Sequence, residues 1–349
     1  MTDTAQDATA LPYDPAADVP GFINLLIGII PAQLLHALAV LGIPDHLAGG
    51  ALTAEEAAER AGTHPRSTYR LMRAAASVGL LRYEGDRRFS LTGQGHLLRT
   101  GVPGSLRALT LVQTGHSHWQ SWTMFPESVR QGTCQAKQVL GADSFDYFAR
   151  PENAEEAALF AESMADLSAL TVQGAVAALD TTGVSAVVDV GGADGQFVLA
   201  LMDAHPGLRG QVLDLPHAAE RARREAGKRG LSGRFTAVAG DFFEEIPAAD
   251  LYLLKTVLHD WDDKRATAIL RNCRAAVHDG GRVLVVETVV GAIGQPDFAV
   301  LSDMGMLAVT GGMERDLEEF DALFAASGWR RGKTCPVGGG YFGMELSAA

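Results

Sequence analysis

From Ser185 onward the chain alternates short apolar, β-rich runs with helical segments; the runs are Ala186 to Val190, Gln211 to Leu213, Phe235 to Val238, Leu251 to Leu254 and Val283 to Val286. Connections of this length between strands are crossovers and not hairpins, so the runs predict a parallel sheet with helices wound on both faces. The expected fold class is α/β, with a doubly wound sheet over residues 181–349. A helix around Leu317 to Ser327 follows, then an aromatic run from Tyr341 to Leu346 that is expected as an added edge strand. Open sheets of this kind bind ligands beyond the carboxyl ends of their strands. The residues that close each run are therefore where chemistry is to be sought.

The first run closes in Val187-Val-Asp-Val-Gly-Gly-Ala-Asp-Gly195, and a helix begins at Gln196. Gly191 and Gly195 let a ligand approach the backbone where a Cβ would otherwise stand. A dinucleotide fingerprint needs glycines at 191, 193 and 196; Ala193 and Gln196 break it, which disfavours a nicotinamide enzyme. The alternative is the acidic glycine turn of enzymes that use S-adenosylmethionine, a cationic ligand without phosphate, and the carboxylate of Asp189 suits that cation. Asp214 closes the second run 19 residues after Gly195, the spacing at which an acid reaches ribose hydroxyls. After the third run, Gly240-Asp241-Phe242-Phe243 offers an acceptor for an adenine amino group and a flat apolar neighbour for its ring.

The N-terminal third reads differently. Residues 1–18 are small, acidic and aperiodic, with Pro12 and Pro15, and are expected to form a mobile tail. The 26 residues from Val19 to Pro44 contain no Asp, Glu, Lys or Arg, a length that can cross a bilayer. Asn24, Pro31, Gln33 and His36 interrupt the run, Asp18 and Asp45 flank it, and the first basic residue is Arg60, so neither a positive-inside anchor nor a signal peptide is expected. A second subunit is the simplest cover for such a stretch, hence an expected homodimer and no membrane partner. Thr53 and Glu56 fit a capping box, Gly62 to Pro65 turns the chain into a second helix that continues to Gly79, and Leu80 to Leu91 reads as a hairpin around Glu84-Gly85-Asp86. Together these predict a winged-helix module over 19–104, closed by the break Gly101 to Gly104. Residues 105–180 are expected to be a mostly helical connecting and acceptor-pocket segment, with Trp119, Trp122 and Phe125 in its core.

A winged helix raises the question of nucleic acid, because Arg66, Arg70 and Arg73 recur at helical spacing and residues 51–100 hold eight Arg against five acids. The whole chain, however, has 29 Lys+Arg against 42 Asp+Glu, and its net charge of −13 repels phosphate backbones and anionic lipid. The module is therefore expected to pack and dimerise without a nucleic-acid partner; a ligand-responsive DNA-binding regulator is the alternative of another class. Cys134, Cys273 and Cys335 are odd in number and lack CxxC spacing, which indicates neither a disulfide framework nor a zinc site and fits a reducing cytoplasm.

The fourth run leads into Leu254-Lys-Thr-Val-Leu-His-Asp-Trp-Asp-Asp263. Together with the 187–195 turn and Gly-Gly-Met-Glu-Arg at 311–315, it resembles the class I S-adenosylmethionine-dependent small-molecule O-methyltransferases, in the branch shared by plant caffeic-acid-type and bacterial secondary-metabolite enzymes. The likeness spans nearly the whole chain. It implies a Rossmann-like methyltransferase sheet behind an N-terminal, mostly helical winged-helix dimerisation domain. It also implies that Gly191, Asp214, Asp241, Phe242 and Lys255 hold the cofactor, with Lys255 at the methionine carboxylate and Ser168 reaching the same end. By the same resemblance His259 is the general base, Glu287 and Glu314 orient it, and Phe160, Met164, Met304 and Met306, with Asp260, face the acceptor. Ala193 departs from a glycine common in the turn, and residues 304–310 depart from the plant pattern. Some relatives have lost methyl transfer and perform hydroxylation or decarboxylation with the cofactor retained; the joint presence of His259, Glu287 and Glu314 argues against that alternative.

The chemistry of His259 also stands on its own. A phenol ionises near pH 10, so a neutral imidazole that removes its proton as the oxygen attacks a sulfonium methyl supplies useful base catalysis. Asp260, Asp262 and Asp263 could instead hold a hard cation. Asp262 and Asp263 stand at the start of the helix expected over Arg265 to Ala276, where acids cap amides, and a histidine base removes the need for a metal. The expected activity is metal-independent methylation of a hydroxyl on a small, flat aromatic natural product, with S-adenosylhomocysteine as the other product.

Overall fold

The computed structural model describes residues 14–349, so the tail expected over residues 1–13 lies outside the described residues. The remainder of that expected tail is ordered. Pro15 opens a helix, Pro15–Leu26, and the Asp14 carboxylate accepts the Ala16 N–H at 2.9 Å as its cap. The chain divides into two compact units, one ending at Thr114 and the other spanning Gly115–Ala349.

In the first unit the helices Pro15–Leu26 and Ile29–Val40 carry the uncharged stretch, and much of its apolar surface faces outward; Phe22 is 65% exposed and Leu25 81%. The helices Ala54–Ala61 and Pro65–Ser77 follow, the first closed by a complete Thr53/Glu56 capping box. Strands β1 (Leu52–Thr53), β2 (Leu81–Gly85) and β3 (Arg88–Leu91) form a small sheet in the order β1-β3-β2. Leu38, Ile43, Met72 and Phe89 make up the core beneath it. The helix Arg107–Gln113 packs back on Ile29–Val40, and His36 Nδ1 lies 2.8 Å from Thr114 Oγ1. This unit thus continues past the break expected at Gly101 to Gly104.

The second unit is built on a seven-stranded sheet of β4 (Ala186–Val190), β5 (Arg209–Asp214), β6 (Phe235–Ala239), β7 (Ala249–Lys255), β8 (Val277–Thr288), β9 (Trp329–Gly338) and β10 (Tyr341–Ala348), in the order β6-β5-β4-β7-β8-β10-β9. The first five are parallel, and the apolar runs of β4, β7 and the second half of β8 are buried because both faces are covered there. In β7, Tyr252 and Leu254 join one core with Phe320, Phe324 and Trp329, while Leu251 and Leu253 join the other with Phe197 and Met202. The last run is not an edge strand. β10 lies antiparallel between β8 and β9, and β9, which the periodicity missed, forms the edge. Its sequence, with Arg330, Arg331, Lys333 and Pro336, suits an edge that must resist further pairing.

A 25-residue helix, Ala154–Ala178, crosses this unit and packs closely on β9 through Gly174, where a Cβ would stand 2.7 Å from the Val337 carbonyl carbon. Trp119 and Trp122, expected in a core, remain 36% and 38% exposed; Trp122 tilts against Phe125 with ring centroids 4.9 Å apart.

Candidate active site

At the carboxyl ends of β4, β5 and β7 lies a cavity of about 480 Å³, within the size range of small-molecule sites. The turn after β4 forms one wall. Gly191 has φ +69°, and a Cβ there would stand 3.0 Å from Val257 and 3.6 Å from Phe242. Ala193, with φ +52°, occupies the left-handed region at a cost that glycine would avoid, and its N–H donates to Asp214 Oδ2 at 2.8 Å. Asp189 lies beneath the turn, where its carboxylate accepts the Val198 N–H at 3.2 Å and fixes the start of the next helix. Burial raises its pKa to about 7 against the pull of that N–H and of Lys255. Lys255 is half-buried; desolvation holds its ammonium below the usual lysine range, and its hydrogen-bond partner is Thr256 Oγ1 at 3.1 Å. Asp214 closes β5 with its pKa raised by burial.

The opposite wall comes from the Ala154–Ala178 helix, through Phe160, Met164 and the buried Ser168, whose hydroxyl donates to the Met164 carbonyl. Phe148 stacks on Phe160 with centroids 4.8 Å apart. The cavity is therefore charged at one end and aromatic at the other.

Asp260 lines the cavity, and His259 is its neighbour in the chain. His259 Nε2 is 3.9 Å from Asp260 Oδ1, while Nδ1 is 3.2 Å from Glu314 Oε1 and 3.7 Å from Glu287 Oε2. Glu287 is fully buried; Oε1 accepts the N–H groups of Val257 and Leu258 at 3.0 and 2.9 Å, and Oε2 has no hydrogen-bond partner. Glu314 also accepts from Ser302 and Thr288 hydroxyls at 2.8 and 2.6 Å. Desolvation alone would lower the His259 pKa, but Glu287, Asp260 and Glu314 outweigh it and hold the ring at about 10. Burial raises Glu287 to about 7 and Asp260 to about 6, in each case against His259. Burial would raise Glu314 too, but its hydrogen bond and charge contact with His259 hold it below the usual glutamate value.

His259, Glu287 and Glu314 offer ligand atoms within 4.8 Å of one another, a spacing a metal ion could use. Both carboxylates already accept hydrogen bonds from backbone or hydroxyl groups, and the imidazole Nδ1 stands between them. Asp262 caps the Asp263–Ala276 helix by accepting the Arg265 N–H at 2.8 Å, and Asp263 pairs with Arg315, so both acids have structural partners.

Arg315 went unremarked in the sequence. Its guanidinium is fully buried and donates to the carbonyls of Leu258 (3.1 Å) and Trp261 (2.9 Å), on either side of His259, and to Asp263 Oδ1. It ties the loop of the histidine to the loop of Glu314. Arg315→Met is expected to lower stability by about 3 kcal/mol, because buried carbonyls lose charged donors, a loss measurable by urea unfolding. Thr288 and Ser302 were also missed; adjacency to Glu287, and a serine beside the 304–306 segment, were the available signals.

Of the residues singled out from the sequence, Phe160, Met164, Ser168, Asp189, Gly191, Asp214, Lys255 and Asp260 line the cavity together. Gly195 sits under the turn against Val212, and exposed Asp241 bonds its own Phe243 N–H at 2.8 Å, outside the lining, as does Phe242 beside Gly191. Met304 and Met306 lie on the helix Phe298–Val309, away from the lining.

Residues 122–330 match the O-methyltransferase domain model, and residues 23–101 the O-methyltransferase dimerisation domain model. The chain is 33% identical to the phenazine O-methyltransferase of Lysobacter antibioticus, over 91% of this chain and 93% of that protein. It is similar to the solved mitomycin 7-O-methyltransferase with a TM-score of 0.87 and 34% identity, covering 96% and 98% of the two chains. An O-methyltransferase from neocarzinostatin biosynthesis, solved with S-adenosyl-L-homocysteine and 1,4-dihydroxy-2-naphthoic acid, gives 0.77 and 34%, covering 91% and 96%. A doubly wound sheet with a polar-to-aromatic cavity at its strand ends, matched along nearly its whole length, places this chain in the family of S-adenosylmethionine-dependent O-methyltransferases.

Proposed function

We propose that this enzyme methylates a hydroxyl of a small aromatic natural product and that His259 is its general base. The observation that carries the reading is the orientation of the imidazole: Nδ1 is held by Glu314 at 3.2 Å, which leaves Nε2 toward Asp260 and the cavity. A ring bound this way presents one nitrogen to an acceptor and keeps its tautomer.

The residues present fit S-adenosylmethionine. Lys255 has an ammonium with donors to spare beside Thr256, which suits a carboxylate, and Asp214 stands at a strand end, which suits ribose hydroxyls. Gly191 and Ser168 complete that end, with Asp241 and Phe242 beside it. When bound, the cofactor supplies an electrophilic methyl carbon on positively charged sulfur. Phe160 and Met164 give a flat acceptor an apolar wall, and Asp260, whose Oδ1 is 3.9 Å from His259 Nε2, lines the same cavity. His259 takes the acceptor's hydroxyl proton on Nε2, and Glu287 and Glu314 stabilise the imidazolium that results. The relatives named for phenazine and mitomycin, and the one solved with a dihydroxynaphthoic acid, favour an aromatic acceptor. The exposed apolar helices of the first unit, within the match to a dimerisation domain, favour a homodimer. Cys134, Cys273 and Cys335 are free thiols, consistent with a cytoplasmic setting.

The test is the pH profile. The surrounding carboxylates of Glu287, Asp260 and Glu314 raise the pKa of the His259 ring well above the ordinary histidine value in the free enzyme. Because the base is the neutral form, kcat/KM is expected to rise with pH, with an apparent pKa above the ordinary histidine value. Glu287→Gln removes a carboxylate that raises it and is expected to move this limb to lower pH. A limb at the ordinary value in both enzymes contradicts the assignment.

A further inference from the structure

One charged cluster takes no part in the site. On the Pro65–Ser77 helix, Arg66, Arg70 and Arg73 share one exposed face at i, i+4 and i+7, and Arg87 joins them from the turn between β2 and β3. The four arginines line an open concavity with Tyr69, Pro65 and Glu55. Four arginines against one glutamate leave this lining at +3, whereas the whole chain is at −13.

Arg87 lies over the Tyr69 ring, 4.1 Å from its centroid, and pairs with Glu55 at 2.7 Å; Arg73 is 5.8 Å from the same centroid. Among the described residues Arg66, Arg70 and Arg73 make no ion pair or side-chain hydrogen bond. Other arginines on helices and strands do find carboxylates, as Arg223 and Arg331 show, whereas these three stand side by side with none. Like charges at i, i+3 and i, i+4 repel along a helix, and an anion bridging them relieves that repulsion. The cations of the concavity are all guanidinium groups. Guanidinium forks onto phosphate oxygens in two places and stacks on aromatic rings, which ammonium does not do as well.

We infer that this concavity binds a small oligophosphate anion, either a nucleoside polyphosphate or a free phosphate chain, gripped by Arg66, Arg70 and Arg73, with Arg87 fixed on Tyr69 as its fourth side. A nucleic-acid duplex fits less well, because its charge extends far beyond a +3 concavity on a chain of net charge −13.

The experiment is calorimetric titration of the full chain at low ionic strength with sodium triphosphate, with ATP and with a short DNA duplex. The expected result is saturable binding of triphosphate and ATP, one per chain, weakened at least about tenfold by the double variant Arg66→Gln/Arg70→Gln. Arg82→Gln removes an arginine that pairs with Glu84 outside the concavity and is expected to leave the affinity unchanged. The double variant is expected to melt no lower than the parent, since it removes repulsion and no contact. Tighter binding of ATP than of triphosphate identifies a nucleotide as the source of the phosphate, and equal binding a free chain. Absence of saturable binding, an equal loss in Arg82→Gln, or duplex binding tighter than triphosphate overturns the inference.

Discussion

Alanine at position 259 is expected to lower kcat by about 10²- to 10⁴-fold, the usual contribution of a positioned general base. The affinity for S-adenosylmethionine should change little, because Lys255 and Asp214, the residues proposed to hold the cofactor, are untouched and still line the cavity. The loss should not be made good by raising substrate concentration, which separates a role in proton removal from one in binding. Removal of the ring also leaves Glu287, Asp260 and Glu314 without their shared cation, so the variant should bind protons more tightly in this cluster than the parent does. Steady-state kinetics with both substrates varied, together with calorimetry for the cofactor, reads both effects. An unchanged kcat contradicts the assignment of the base.

A comparable loss is expected from a methyl group placed far from any acceptor. A Cβ on Gly312 would run into the His259 carbonyl oxygen and stand 2.5 Å from the carbonyl carbon of Asp260, while the Met313 N–H donates to that same His259 carbonyl at 2.8 Å. The 311–315 turn therefore rests directly on the peptide that carries the base, and it also carries Glu314 and Arg315. Both neighbours are backbone and cannot swing aside as a flexible side chain could. Gly312→Ala is expected to reduce kcat about 10²-fold through misplacement of the ring, and to lower stability by about 1–3 kcal/mol through overpacking. Gly305→Ala, where no atom lies within 4 Å of the added Cβ, is the matched control and should retain activity. Equal behaviour of the two variants in kinetics and urea unfolding would show that the close approach at Gly312 does not position the histidine.

The five parallel strands were legible because each carries an apolar run, buried on both faces in β4 and β7 and kept in the sequence of β6 even at the opposite edge. β9 was not, because an edge strand carries Arg330, Arg331 and Lys333 where a central one carries valine, and its absence made β10 look like the edge. The break at Gly101 to Gly104 falls where the match to the dimerisation domain ends, while the compact unit runs on to Thr114. Gly101 and Gly104 turn with φ of +64° and +74°, as a linker would, yet the chain beyond them returns to pack on the helix Ile29–Val40. Within the site, residues fixed by the topology of strand ends were readable: Asp214 and Lys255 close neighbouring strands and reach one cavity. Asp189 shares that position, but its carboxylate turns under the backbone to the Val198 N–H, a contact that depends on the angle of the following helix. Arg315 was invisible because its partners are mainly carbonyl oxygens, which every residue has. Met304 and Met306 followed from resemblance alone; they are not among the residues that line the cavity, although the helix that carries them also supplies Ser302 to Glu314.

The central claim is that a methyl group passes from S-adenosylmethionine to an aromatic hydroxyl with His259 as the base. Its most direct test is mass spectrometry of a panel of hydroxyaromatic compounds incubated with the enzyme and S-adenosylmethionine, after calorimetry has shown that the cofactor binds, with His259→Ala run in parallel. The account predicts a product heavier by one methylene, methylated on oxygen, that the variant forms at least about 10²-fold more slowly. Cofactor binding with a hydroxylated or decarboxylated product in place of a methylated one, or a methylated product formed equally well by the variant, would contradict it.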